Sequence, residues 1–266
     1  MEHATWAFIL TLFAGLLTGV GSLIAFFAKR TNATFLAGAL GFSAGVMIYV
    51  SFVELFPEAI SLLSEHHGKT GEALAVAAFF GGIILIAVID KLVPSAENPH
   101  ELKSVEAMRE NVPQNKKLLR TSLLMAIVIA IHNFPEGIVT FATAADNLSL
   151  GVPVAIAIAI HNIPEGVSVS VPIYYATGDR KKAFWLSFAS GLAEPLGALL
   201  AWVALWPFIV QSPHIIGYVS AVVAGIMVFI SLDELLPAAK EYGKHHVAIY
   251  GVVGGMAVMA ITLILL

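Results

Sequence analysis

Charge in this chain is confined to short intervals between apolar runs of twenty residues or more. A helix of about 20 residues spans the roughly 30 Å hydrocarbon layer of a bilayer. In lipid the backbone must satisfy its own hydrogen bonds, so runs of this length are read as helices. Only 12% of the residues are charged and 58% are hydrophobic, whereas an ordinary soluble domain carries about 25% charged residues. The expected fold class is therefore an all-α membrane protein. Eight transmembrane helices are expected at about 5–28, 34–57, 73–93, 121–144, 151–176, 183–206, 216–237 and 246–266, forming one polytopic domain over 1–266. The first run has no basic region before it and exceeds the 7–15 residues of a signal-peptide core, so it counts as a span.

Lysine and arginine set the expected orientation. Lys29 and Arg30 follow span 1. Lys91, Lys103, Arg109, Lys116, Lys117 and Arg120 lie at or between the ends of spans 3 and 4. Arg180, Lys181 and Lys182 follow span 5, and Lys240 and Lys244 follow span 7. Of the 14 basic residues, only Lys69 falls on the opposite side. The positive-inside rule then places both termini outside the cytoplasm. Residues 94–120, which mix acids and bases and hold three prolines, read as a cytoplasmic linker, partly helical around Glu101–Glu110. Cysteine is absent, which excludes disulfides and thiolate metal sites.

Two repeats interrupt the apolar pattern. Residues 129–137 read IAIHNFPEG and residues 158–166 read IAIHNIPEG, identical but for Phe134 and Ile163. Residues 44–59, AGVMIYVSFVELFPEA, match 224–239, AGIMVFISLDELLPAA, at Ala44, Gly45, Met47, Ser51, Glu54, Leu55, Pro57 and Ala59. The first repeat joins spans 4 and 5 and the second joins spans 2 and 7. Both pairs run oppositely through the bilayer, as if span n resembled span 9 − n. Inverted repeats of this kind characterise many secondary transporters, whose sites lie between the halves near the membrane centre.

Residues four apart share a helix face. His132 therefore points with Glu136, and His161 with Glu165, while Asn133 and Asn162 lie beside them. Pro135 and Pro164 remove a backbone donor each and free the carbonyls of Ile131 and Ile160. Gly137 and Gly166 permit close helix approach. Both motifs fall near the centres of their spans, where an ionised side chain costs several kcal/mol unless paired or hydrated. Two imidazoles and two carboxylates at one depth can satisfy each other through a divalent cation. Neutral imidazole with carboxylate suits zinc, iron(II) and manganese better than magnesium or calcium. A proton relay without metal is the other use of such groups.

Glu194, in GLAEPLG of span 6, is a further intramembrane acid at matching depth. Met47, at the centre of span 2, offers a soft thioether, although simple packing explains it equally well. Glu54 and Glu234 each lie about 10 Å from the midplane, which suits a vestibule or a helix-end contact. Glu65, His66 and His67 cluster on an outer loop, where surface solvation accounts for them and metal capture is the sharper alternative.

HNFPEG, HNIPEG and the AEP of span 6 together resemble the ZIP family of divalent-metal transporters, in particular its bacterial zinc-uptake branch. The likeness covers nearly the whole chain. It implies inward movement of zinc, with iron, manganese and cadmium as further cargo, across a bacterial inner membrane. It also implies a binuclear centre whose ligands fall on His132, Asn133, Glu136, Asn162 and Glu165, with His161 beside them and Glu194 bridging from span 6. An elevator motion of spans 1, 4, 5 and 6 against spans 2, 3, 7 and 8, usually in a homodimer, is implied as well. Gly251 and Gly255 are compatible with close helix packing. The expected partners are divalent metal ions and the bilayer, without nucleic acid, and no resident cofactor is expected. Many relatives carry a histidine-rich loop between spans 3 and 4, whereas 94–120 holds only His100.

A secondary transporter is thus the leading reading, and the chain is not expected to be an enzyme. No G-x-x-x-x-G-K-[ST] sequence is present to supply a nucleotide motor. The alternative is an intramembrane metal-dependent hydrolase, which needs an open metal position, a bound water and a general base. No H-E-x-x-H occurs, and a doubled, inverted site is not what hydrolysis requires.

Overall fold

A computed structural model describes residues 2–27, 33–92, 116–212, 214–241 and 245–265. Among the described residues the backbone is helical apart from short turns, without a strand. The helices are α1 (Glu2–Phe27), α2 (Ala33–Val50), α3 (Phe56–His67), α4 (Gly71–Leu92), α5 (Lys116–Asp146), α6 (Leu148–Thr177), α7 (Arg180–Gly191), α8 (Ala193–Leu200), α9 (Trp206–Gln211), α10 (His214–Ile230), α11 (Leu236–Glu241) and α12 (His245–Leu265).

Among the described residues, seven helical segments are long and apolar enough to cross a membrane. One of them, Thr34–Lys91, runs for 58 residues. It is broken at Gly68, whose φ of 61° ends α3, and α4 returns along α3 after the 3-10 turn Gly68–Thr70. A non-glycine residue would be strained at that φ. Exposed apolar side chains such as Trp6, Ile84, Val203 and Ile264 lie on the outer surfaces of these helices. So much exposed hydrocarbon is tolerable only against lipid. The chain is a multi-pass membrane protein.

Most of the expected 94–120 linker lies outside the described residues, as do Lys29, Arg30 and Lys244. Residues 116–120 are described and already belong to α5, so that helix begins ahead of the expected span. The link between α5 and α6 is a single residue, Asn147, whose side chain accepts from the Ser149 N–H and caps α6. So short a turn makes the two helices an antiparallel hairpin. His132 is 14 residues before the end of α5 and His161 is 13 after the start of α6. At 1.5 Å per residue both stand about 20 Å from the turn. The doubled motif is level by construction.

Among the described residues, three helices change register through a π-helical turn, at Ser51–Leu55, Ala201–Leu205 and Ser231–Leu235. Each turn ends two residues before a proline, Pro57, Pro207 or Pro237. Proline has no N–H for the carbonyl four residues back. In the first and third turns the ladder widens just before it, with the Phe56 N–H donating to Ser51 O and the Leu236 N–H to Ser231 O. The 44–59 and 224–239 repeats thus share a backbone irregularity as well as a sequence.

The helices sort into two bundles. The first holds α1, α5, α6, α7 and α8; the second holds α2, α3, α4, α10, α11 and α12. Within each, glycine lets backbones touch. A Cβ on Gly137 would overlap the Glu194 backbone, and one on Gly166 would overlap Thr18. In the second bundle Gly45 meets Val252 and Gly225 meets Phe79. Among the described residues, every glycine whose Cβ would strike a neighbouring backbone does so inside its own bundle. The seam is different. There α2 faces α6 and α10 faces α5, through side chains such as Val128, Val139 and Ala157 against the core of the second bundle.

Candidate metal centre

The α5–α6 hairpin brings the two motifs face to face. His132, Asn133, Glu136, His161, Asn162, Glu165 and Glu194 are all at most 1% exposed. The shortest histidine–glutamate contacts cross between the helices. His132 Nε2 lies 3.2 Å from Glu165 Oε1, and His161 Nε2 lies 3.2 Å from Glu136 Oε1. Glu165 Oε1 is also 3.9 Å from His161 Nε2 along its own helix. The four groups expected to converge do so, but each imidazole is nearest the carboxylate of the other copy.

Helix α8 closes one side. Asn162 Nδ2 donates to Glu194 Oε2 at 2.6 Å and to the Ala14 carbonyl at 3.0 Å. This links α6 to both α8 and α1. Asn133 Nδ2 reaches the Ser190 carbonyl at 3.5 Å. Both asparagines therefore use the amide nitrogen for support, which leaves their oxygens directed elsewhere.

What these groups lack is as informative as what they touch. Among the described residues, fourteen buried side-chain nitrogen or oxygen atoms have no hydrogen-bond partner, and nine of them belong to the seven motif residues. They are Nδ1 of His132, Oδ1 of Asn133, both oxygens of Glu136, both nitrogens of His161, Oδ1 of Asn162, Oε2 of Glu165 and Oε1 of Glu194. Burying one such atom unpaired costs about 1–3 kcal/mol, so a cluster of this kind could hold a cation or water between its members. In the His161–Glu136 contact the two atoms face each other at 3.2 Å. Two ligands on one tetrahedral ion with bonds of 2.0–2.2 Å stand roughly 3.4 Å apart. The 3.2 Å separation is close to that spacing and equally within hydrogen-bonding range.

The remaining candidates sit further out. Met47 is fully buried on α2. The Ser43 hydroxyl contacts its sulfur at 4.0 Å and the His161 carbonyl at 3.5 Å, so one serine stands between Met47 and the motif. Glu54 is half-buried in the π turn after α2, and none of the histidine–carboxylate pairs reaches it. Its repeat counterpart Glu234 is 4% exposed and close enough to His132 to interact with it electrostatically. The two acids have the same register in the repeat. Burial separates them.

The family model described as ZIP Zinc transporter matches residues 3–118 and 90–263. The chain belongs to the ZIP family. A curated relative from Streptococcus mutans, named Zinc transporter ZupT, is 60% identical over 99% of this chain and 98% of its own. Relatives of the same name from Oceanobacillus iheyensis and Clostridium perfringens are 58% and 53% identical, each over all of this chain and over 100% and 97% of their own length. In this ZIP protein the buried cluster occupies the hairpin that carries the doubled motif, and both bundles border it.

Proposed function

We propose that the protein is a secondary transporter that carries zinc into the cytoplasm across a bacterial plasma membrane. The metal would pass through the centre formed by His132, Asn133, Glu136, His161, Asn162, Glu165 and Glu194. The single observation that carries this reading is the convergence of seven buried polar and ionisable side chains from α5, α6 and α8, with histidine–glutamate pairs crossing between α5 and α6 at 3.2 Å. The names of the relatives, all zinc transporters, support zinc as cargo, and none speaks for a hydrolase. Iron(II), manganese and cadmium fit the same mixed donor set. Met47 and Glu54 are proposed to act from outside the centre, on the approach to it.

The site is sealed from solvent, so delivery to two sides requires movement. We read the first bundle as the moving part and the second as its scaffold, an elevator-type exchange. Two features support this: among the described residues, backbones interlock through glycine only inside each bundle, and an apolar cavity of about 240 Å³ lies in the seam between α5 and α10. On this reading Thr34–Lys91 crosses twice, giving eight spans of a single membrane domain with both termini outside. The packing supports a three–two–three inverted repeat. The contacts of α6 with α1 answer those of α5 with α8, and those of α2 with α12 answer those of α10 with α4. This matches span 1 with span 6 and span 3 with span 8, in place of the n-to-9 − n rule. A homodimer fits the family, but Gly251 and Gly255 already meet Gly38 and Phe42 of the same chain, so its contact would use another surface.

The test is zinc uptake by purified protein in liposomes. His132→Ala and Glu136→Ala should insert normally and lose uptake. Wild-type rates in both variants would remove the centre from the transport path.

A further inference from the structure

Helix α3 ends in His66 and His67, and α10 begins at His214. The fold packs these two helix ends together. One nitrogen from each of the three imidazoles lies within 4.8 Å of the other two. The His66 and His214 rings are stacked, 3.7 Å between centroids and 10° between planes, and His67 stands edge-on to both. None of the three is buried. We propose that His66, His67 and His214 form a second, surface site for a divalent transition metal, one that captures the ion before it enters the transport path. The capture role rests on the transporter reading given above; the binding site itself does not.

The donor set selects the ligand class. Three neutral imidazoles suit zinc, cobalt, nickel or copper ions, whereas magnesium and calcium require oxygen shells. A tetrahedral zinc held by three histidines keeps a fourth position for water. Its bonds would bring the nitrogens to roughly 3.3 Å from one another, closer than the present limit by about 1.5 Å. Imidazoles at the surface can make that adjustment by rotating about their side-chain bonds. With no carboxylate among the three donors, the ion would be held by neutral ligands alone. That suits capture and release.

One residue is already placed to orient the cluster. The Tyr218 hydroxyl, one turn along α10 from His214, lies 3.1 Å from His67 Nε2. A metal-bound histidine characteristically gives its other N–H to such a partner, which settles the tautomer and aims the ring. If Tyr218 accepts the Nε2 proton, Nδ1 of His67 keeps its lone pair for the ion.

The location fits a point of entry. Helix α4 starts beside the cluster at Gly71 and ends about 33 Å away at Leu92. Lys91 and Lys240 lie at that far end of the second bundle, and among its described basic residues Lys69 alone lies at the histidine end. The cluster therefore stands at the end that the positive-inside rule puts outside the cell. Ile215, Ile216 and Val219, following His214 along α10, line the seam cavity together with Val139 and Ala142 of α5. The three histidines thus sit at the rim of the boundary that would open to admit metal.

The experiment uses tag-free protein and zinc alone. In a His132→Ala/Glu165→Ala background, which disables the buried centre, equilibrium dialysis in detergent should find one zinc per chain. His66→Ala, His67→Ala and His214→Ala together should abolish it. Tyr218→Phe should weaken it by about tenfold or more, as loss of an orienting partner does. No zinc on the background protein, or zinc that persists after the three substitutions, overturns the site. In liposomes carrying otherwise wild-type protein, the triple variant should lose several-fold more uptake at limiting zinc than at saturating zinc. Equal losses at both concentrations overturn the capture role alone. If wild-type protein moves no zinc, the transport reading fails, and the dialysis result still decides the site.

Discussion

Glu165 Oε1 lies 3.2 Å from Nε2 of His132, on the neighbouring helix, and 3.9 Å from Nε2 of His161, on its own. The carboxylate of one motif copy thus serves the histidine of the other first. Residues in direct contact couple by about 0.5–3 kcal/mol in double-mutant cycles. Zinc affinity measured for His132→Ala, Glu165→Ala and their combination should show coupling in that range. The cycle for His132 and Glu136, one turn apart on α5, should show less. Stronger coupling along the helix than across it would contradict the crossed arrangement.

Asn162 is expected to act as a support for Glu194. Its Nδ2 donates both to that carboxylate and to the Ala14 carbonyl. Asn162→Leu would leave a buried acceptor without its donor, at a cost of about 1–3 kcal/mol. The thermal midpoint in detergent without metal should fall accordingly. Glu194→Gln in the same background should recover part of the loss, since a neutral amide is cheaper to bury than a carboxylate. No recovery would mean that the asparagine matters chiefly through Ala14.

Gly137 and Gly166 should tolerate no side chain. A Cβ at either position runs into the backbone of α8 or α1, which cannot turn aside as a flexible side chain could. Overpacking typically costs about 1–3 kcal/mol, so Gly137→Ala and Gly166→Ala should lower the thermal midpoint and reduce zinc binding. Gly254→Ala, where a Cβ meets open space, should be neutral or slightly stabilising. Equal effects at all three sites would refute the interlocked packing.

The seam should be the moving boundary. The chain has no cysteine, so introduced pairs report without background. Ala142 of α5 packs with Ile216 of α10 across the seam, whereas Val169 of α6 and Ala183 of α7 belong to one buried cluster inside the first bundle. Oxidising an Ala142→Cys/Ile216→Cys protein should stop zinc uptake, with recovery on reduction. Oxidising Val169→Cys/Ala183→Cys should leave uptake intact. Transport that survives a verified seam cross-link would exclude an elevator motion.

Transport without a coupled ion makes a further quantitative demand. Two positive charges falling through 100 mV release about 4.6 kcal/mol, at 2.3 per charge. Liposomes held at that potential, negative inside, should therefore accumulate zinc by a factor on the order of 10³ at equilibrium, and depolarisation should abolish the gradient. Accumulation that follows a proton gradient at zero potential would show proton coupling instead.

How far the sequence could be read depended on the range of the interaction. Helicity follows from local hydropathy, because lipid offers the backbone no other partner. The motif residues were visible for the same reason: a histidine and a glutamate on one helix face are fixed by a spacing of four. The matched depth of the two copies followed from counting residues. By contrast, the π turns were not anticipated, although each ends two residues before a proline that was in plain view. A proline announces a missing donor without saying how the ladder will adjust.

Glu54 and Glu234 mark the limit most clearly. They occupy identical places in a sixteen-residue repeat, yet one is half-exposed and the other lies buried near His132. His214 makes the same point from the other side, since nothing in its own neighbourhood links it to His66 and His67. By itself the sequence determined the helical class and the level at which the motif residues lie, because these depend on composition and on spacing along one helix. Only the tertiary structure decided which carboxylate meets which imidazole, which helices interlock and where the boundary between bundles runs. Those outcomes depend on contacts between residues far apart in the chain, and a hydrophobic pattern that turns a helix toward its neighbours does not say which neighbour it will meet.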